Sequence, residues 1–121
     1  MNICVNGSRG FQDYELMQET LRPYFSADDV LISGGAKGAD SLAEKFAAEN
    51  GIRVIRYLPD WQKFGKAAGP IRNEEMLNSA QMLISFHDGK SPGTAHAISY
   101  AKRNNIECVV IRYDLVPKDE K

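Results

Sequence analysis

The sequence predicts one α/β domain over residues 1–116, a doubly wound parallel sheet of about five strands, with a flexible C-terminal tail at 117–121. Three observations carry that expectation. Five short apolar runs recur along the chain, helical patterns fill the intervals between them, and the runs are near-continuous, as in parallel strands covered on both faces. A chain of 121 residues, 43% hydrophobic and 26% charged, suits one domain and is too apolar for disorder to be the default.

The elements follow in order. Ile3-Cys4-Val5 is the first strand, and the first helix runs from Tyr14 to Leu21 with Leu16, Met17, Thr20 and Leu21 on one side. Val30-Leu31-Ile32 is the second strand; it feeds a glycine-rich turn and then a helix in which Leu42, Phe46 and Ala47 share a face, stopped at Gly51. Val54-Ile55-Arg56-Tyr57 is the third strand. From Leu58 to Pro70 there is no convincing periodicity, yet the stretch carries Asp60, Trp61, Lys63, Phe64 and Lys66. A connection that long is functional or disordered, and its two aromatics argue against disorder. Pro70 is well placed in the first turn of a third helix holding Arg72, Asn73 and Met76. Met82–Phe86 is the fourth strand, Ile98, Tyr100 and Ala101 mark the fourth helix, and Cys108–Ile111 is the fifth strand.

Composition excludes several function classes. A formal net charge of -1 with no basic stripe counts against a protein that coats nucleic acid. Cys4 and Cys108 sit inside apolar runs and read as reduced core residues; with no C-x-x-C and no His/Cys cluster, neither a metal nor another cofactor is expected. No apolar run approaches the ~20 residues of a membrane span, and Met1-Asn2-Ile3 enters the first strand without a leader, so the expected location is cytoplasmic.

Ligands of open parallel sheets sit outside the carboxyl ends of the strands, where four loops of this chain converge. In Gly7-Ser8-Arg9, the glycine permits a tight turn, the hydroxyl can donate to a phosphate oxygen, and the guanidinium is a planar fork matched to an anion. Gly34-Gly35-Ala36-Lys37-Gly38-Ala39-Asp40 turns from a strand into a helix N-terminus, where backbone N–H groups and the helix dipole favour an anion. Asp40 either complements that dipole or accepts from ribose hydroxyls. Arg72 is expected in the first turn of that helix, where a cation opposes the dipole; a bound anion would resolve the conflict, and the other reading is a solvated side chain. Gly93 and Thr94, after the fourth strand, offer N–H groups and a hydroxyl to a phosphate. Trp61 either stacks on a base or lids the sheet. His87 and His96 lie near this edge and read as hydrogen-bonded structural residues.

Gly7-Ser8-Arg9, Gly34-Gly35-Ala36-Lys37-Gly38-Ala39-Asp40, Asp60-Trp61, Gly65-Lys66-Ala67-Ala68-Gly69-Pro70 with Arg72-Asn73 and Met76, and Gly93-Thr94 together resemble one family. It is the YspA-type, cpYpsA-related branch of the SLOG superfamily, related to the LOG phosphoribohydrolases and to the Rossmann-like part of DprA. The resemblance runs from Asn2 to about Ile111 and implies a Rossmann-like sheet whose loops bind a nucleotide or nucleotide-derived, ADP-ribose-like ligand. It also implies self-association into a homo-oligomer. LOG-type enzymes carry Pro-Gly-Gly-x-Gly-Thr-x-x-Glu; here the run is Ser91-Pro92-Gly93-Thr94-Ala95-His96-Ala97, with Ala97 in place of the catalytic glutamate. The leading expectation is therefore a sensor or carrier. The alternative is an N-glycosidase using a replacement carboxylate, Asp40, Asp60 or Glu74, among which the sequence does not choose. A DprA-like single-stranded DNA binder comes last.

Overall fold

A computed structural model describes residues 1–115, so the expected tail at 117–121 lies outside the described residues. Five strands, β1 (Asn2–Gly7), β2 (Val30–Ser33), β3 (Arg53–Arg56), β4 (Met82–His87) and β5 (Glu107–Arg112), form one sheet in the order β3-β2-β1-β4-β5. Every pairing is parallel, with Cys4 beside Ile32 and Leu83, and Leu83 beside Cys108. The chain thus winds outward to β3, then returns across β1 to build β4 and β5. The crevice between β1 and β4, where the winding reverses, is where such sheets take ligands.

Five helices cover the sheet: α1 (Tyr14–Leu21), α2 (Ala39–Glu49), α3 (Trp61–Phe64), α4 (Ala68–Asn78) and α5 (Pro92–Arg103). The pleat sends alternate residues of each strand to opposite faces. Ile3 and Val5 of β1, with Ile84 and Phe86 of β4, pack against Met17 and Leu21 of α1 and Phe46 of α2. Cys4, Ile32 and Leu83 face the other way, against Met76 and Leu77 of α4 and Ala97 and Ile98 of α5. Both cysteines are free, and β4 stands between their strands, two strand spacings of roughly 4.8 Å and beyond the reach of a disulfide. Among the described residues no helix is long and apolar enough to cross a membrane.

Two elements depart from expectation. The stretch from Leu58 to Pro70 is not a plain loop: it contains α3 and a 3₁₀ turn at Gly65–Ala67. The Asp60 carboxylate caps α3 by accepting from the Lys63 N–H at 3.1 Å. A four-residue helix is too short to show a period. The next helix starts at Ala68, so Pro70 does lie in its first turn, where N–H groups have no partner inside the helix, but Arg72 is its fifth residue, past the first turn in which it was expected.

Candidate functional site

A cavity of about 620 Å³ opens at the C-terminal edge of the sheet, and the connections after β1, β2, β3 and β4 all reach it. The buried polar residues of the described chain are Asn6, Ser8, Ser33, Asp40, Asn73, Ser85 and Thr94; five of these seven line this cavity. Asn6 comes from the end of β1, and the other four from the connections and helices around it.

The wall after β1 is fixed by contacts too close for any side chain. A Cβ on Gly7 would sit 2.4 Å from the Phe86 carbonyl oxygen and 2.6 Å from the Ala39 Cβ. The Gly38 backbone, at φ +77°, touches the same loop: a Cβ there would lie 2.4 Å from the Arg9 carbonyl oxygen. These contacts clamp the start of α2 onto the end of β1, and the Ser8 carbonyl accepts from the Ala39 N–H at 3.2 Å. The Ser8 hydroxyl is hydrogen-bonded to the Tyr113 hydroxyl, and the Tyr113 ring meets Phe11 edge-on with centroids 4.8 Å apart. Arg9 stands exposed at the rim.

The glycine-rich turn after β2 closes on its own carboxylate. Asp40, only 4% exposed, accepts from the Ala36 N–H at 3.2 Å. Burial pushes its pKa up to about 6 against the pull of the Ala36 N–H and the Arg72 guanidinium. The foot of the turn is braced too: the Ser33 hydroxyl accepts from the Gly35 N–H and donates to Glu44, which also binds Arg56.

Arg72, in α4, is neither solvated nor free for a ligand alone. Its Nη1 donates to the Gly34 carbonyl at 2.7 Å and, more weakly, to the Tyr57 carbonyl at 3.4 Å, and its Nε donates to Asn73 Oδ1 at 3.0 Å. Asn73 Nδ2 in turn donates to the Gly93 carbonyl at 3.3 Å. One relay of hydrogen bonds thus ties the β2 turn, α4 and the start of α5 around the cavity. Burial lowers the Arg72 pKa, with Asp40 opposing.

After β4, Asp88 accepts from the Lys90 and Ser91 N–H groups at 2.9 and 2.8 Å, shaping the turn and holding its own pKa down. No side chain caps α5, in contrast to α1 and α3, which Asp13 and Asp60 cap. The first turn of α5, at Gly93 and Thr94, therefore faces the cavity with N–H groups that no side chain covers.

Of the residues the sequence singles out, the cavity brings together Gly7, Ser8, Arg9, Ala36, Asp40, Trp61, Arg72, Asn73, Gly93 and Thr94. Gly34, Gly35, Lys37 and Gly38 stand outside its lining, where they build the turn that aims Asp40. Asp60 and Glu74 also stand outside: one caps α3, and the other lies 3.4 Å from His96 Nε2. Sequence reasoning gave no role to Asp88 or Tyr113, and counted Asn6 only as part of the loop after the first strand. A lone Asn at the end of an apolar strand was the signal for Asn6; nothing near Ser8 in sequence points to a tyrosine 105 residues on.

Residues 1–64 match the model of a family described as YAcAr: YspA, cpYpsA-related SLOG family. The Gene 61 protein of Mycobacterium phage D29 is 31% identical over 116 residues, an alignment spanning 88% of this chain and 93% of that protein. The crystal structure of TM1055, a structural-genomics target, superposes with a TM-score of 0.67 at 20% identity, over 88% of this chain and 71% of the other. DNA processing protein A (DprA) of Streptococcus pneumoniae superposes at 0.59 with 16% identity, over 99% of this chain and 62% of the other. Both structures share the fold.

Proposed function

The chain belongs to the YspA, cpYpsA-related SLOG family, and from that premise we propose that it binds a nucleotide or nucleotide-derived, ADP-ribose-like ligand in the cavity, as a sensor or carrier. The observation that carries this reading is the convergence of four connections on one cavity whose floor holds most of the buried polar side chains. Phosphate goes to the uncapped start of α5, at Gly93 and Thr94, with Ser8 and the exposed fork of Arg9. Asp40, an acceptor aimed into the cavity from the glycine turn, engages sugar hydroxyls. Arg72 holds the turn in place and lends its remaining N–H groups to the ligand. Trp61, 55% exposed at the rim, gives a base a face to stack on.

With two cations, Arg9 and Arg72, and two carboxylates, Asp40 and Asp88, around the cavity, one or two phosphates suit it better than three. Native mass spectrometry of the protein incubated with AMP, NAD and ADP-ribose tests this. A retained, intact ligand is expected, and no retention of any of the three refutes the reading.

One observation favours a second reading, cleavage of the ligand's N-glycosidic bond. Of the three candidate carboxylates, only Asp40 lines the cavity, and its pKa of about 6 suits proton exchange near neutrality. Ala97, buried in the core, stands where LOG-type enzymes carry their glutamate. Release of free base, lost in Asp40→Asn, would make the protein an enzyme. Intact ligand at the end of a long incubation would leave it a binder.

A further inference from the structure

Among the described residues, three buried polar side-chain atoms make no hydrogen bond: Asn6 Oδ1, Ser85 Oγ and His96 Nε2, the last with a Glu74 carboxylate oxygen 3.4 Å away. They are not scattered. Asn6 and Ser85 are register partners on β1 and β4, the strands between which the winding reverses, and His96 belongs to α5, which follows β4. Asn6 and His96 both line the cavity. Asn6 is 7% exposed and Ser85 fully buried. Leaving a polar atom buried without a partner is costly, and native proteins keep few such atoms. Both strands are otherwise apolar at their buried positions, so Leu or Val at these sites would serve the fold better.

We infer that the β1–β4 seam of the cavity is a hydrogen-bonding subsite, with Asn6 as its specificity residue, for an uncharged ligand group that carries a donor beside an acceptor. This rests on the nucleotide reading of the same cavity. The Asn6 amide offers one carbonyl and one NH₂, so it matches a neutral two-faced group whichever way it is turned. A charged group would lose its water here against residues that carry no charge. Ser85, fully buried beside Asn6 in register, does not line the cavity and makes no hydrogen bond to the amide. Two parts of a nucleotide have this chemistry: the edge of the base and the hydroxyls of the ribose.

The test compares wild type with Asn6→Leu, which is nearly isosteric, and Asn6→Ser, measuring Tm without ligand and Kd for AMP and for ribose 5-phosphate. The unliganded Tm of Asn6→Leu should equal or exceed that of wild type, while its AMP Kd weakens by about tenfold or more. If ribose 5-phosphate binding weakens equally, the subsite reads the sugar; if it is unchanged, the subsite reads the base. An unchanged AMP Kd overturns the inference, as does a Tm several degrees lower in both variants, which would make Asn6 a structural residue. Should wild type bind neither probe, the nucleotide reading fails. The Tm comparison then decides alone: a higher value for Asn6→Leu keeps the subsite, and a lower one removes it.

Discussion

Asp40 shows how far a single residue can be read from sequence. Its position at a helix start was legible, but either of two roles fitted it, because burial is a tertiary quantity. In the fold it is buried and its pKa is raised from 3.8 to about 6, so the folded state binds its proton more tightly than the unfolded chain does. The sign follows from linkage: this group favours folding most below about pH 4, and that contribution is lost as pH rises to about 6. Asp40→Asn carries no such loss. Its stability relative to wild type, by urea unfolding, should climb between about pH 4 and 6 and then level off, by on the order of 2–3 kcal/mol. A flat or falling difference would contradict the burial of an ionisable Asp40. Arg72 was expected in a first helical turn, but α4 starts four residues before it, and its partner is first of all the Gly34 carbonyl, 38 residues away. Arg72→Ala is therefore expected to lower stability by about 1–3 kcal/mol as well as weaken ligand binding, and chemical denaturation measures the first part separately.

Secondary structure elements were legible where a period could declare itself. The strands centred on Cys4, Ile32 and Ile84, and the helices built on Met17, Phe46 and Ile98, all repeat an apolar pattern that burial then uses. Helix α3 was not legible, because four residues held by one Asp60 cap contain barely one turn. At the joint between β1 and α2 the requirement for glycine is steric. Gly7→Ala puts a methyl group into the Phe86 carbonyl and Ala39, so a loss of about 1–3 kcal/mol or more is expected, read as a lower Tm. A Tm within one degree of wild type would show that β1 and α2 can separate at no cost. Tyr113→Phe removes the hydroxyl that meets Ser8 and should cost about 1 kcal/mol, with weaker ligand binding if Ser8 needs that support.

At the scale of the molecule, the alternation of strands and helices with an all-parallel sheet already placed four loops at one edge. The strand order β3-β2-β1-β4-β5 adds which two strands the ligand crevice lies between. What no local pattern could supply is the relay from Gly34 through Arg72 and Asn73 to Gly93, since it joins residues from three separate connections. On the proposed reading this edge, and no other part of the surface, takes the ligand. The most direct measurement is an amide NMR titration of the isotope-labelled protein with AMP and with ADP-ribose. Shifts are expected to concentrate at Asn6, Ser8, Arg9, Ala36, Gly93 and Thr94, with Asn2, Gln81 and Glu107 at the opposite edge unmoved. Shifts clustered at that opposite edge, or none with either ligand, would contradict it.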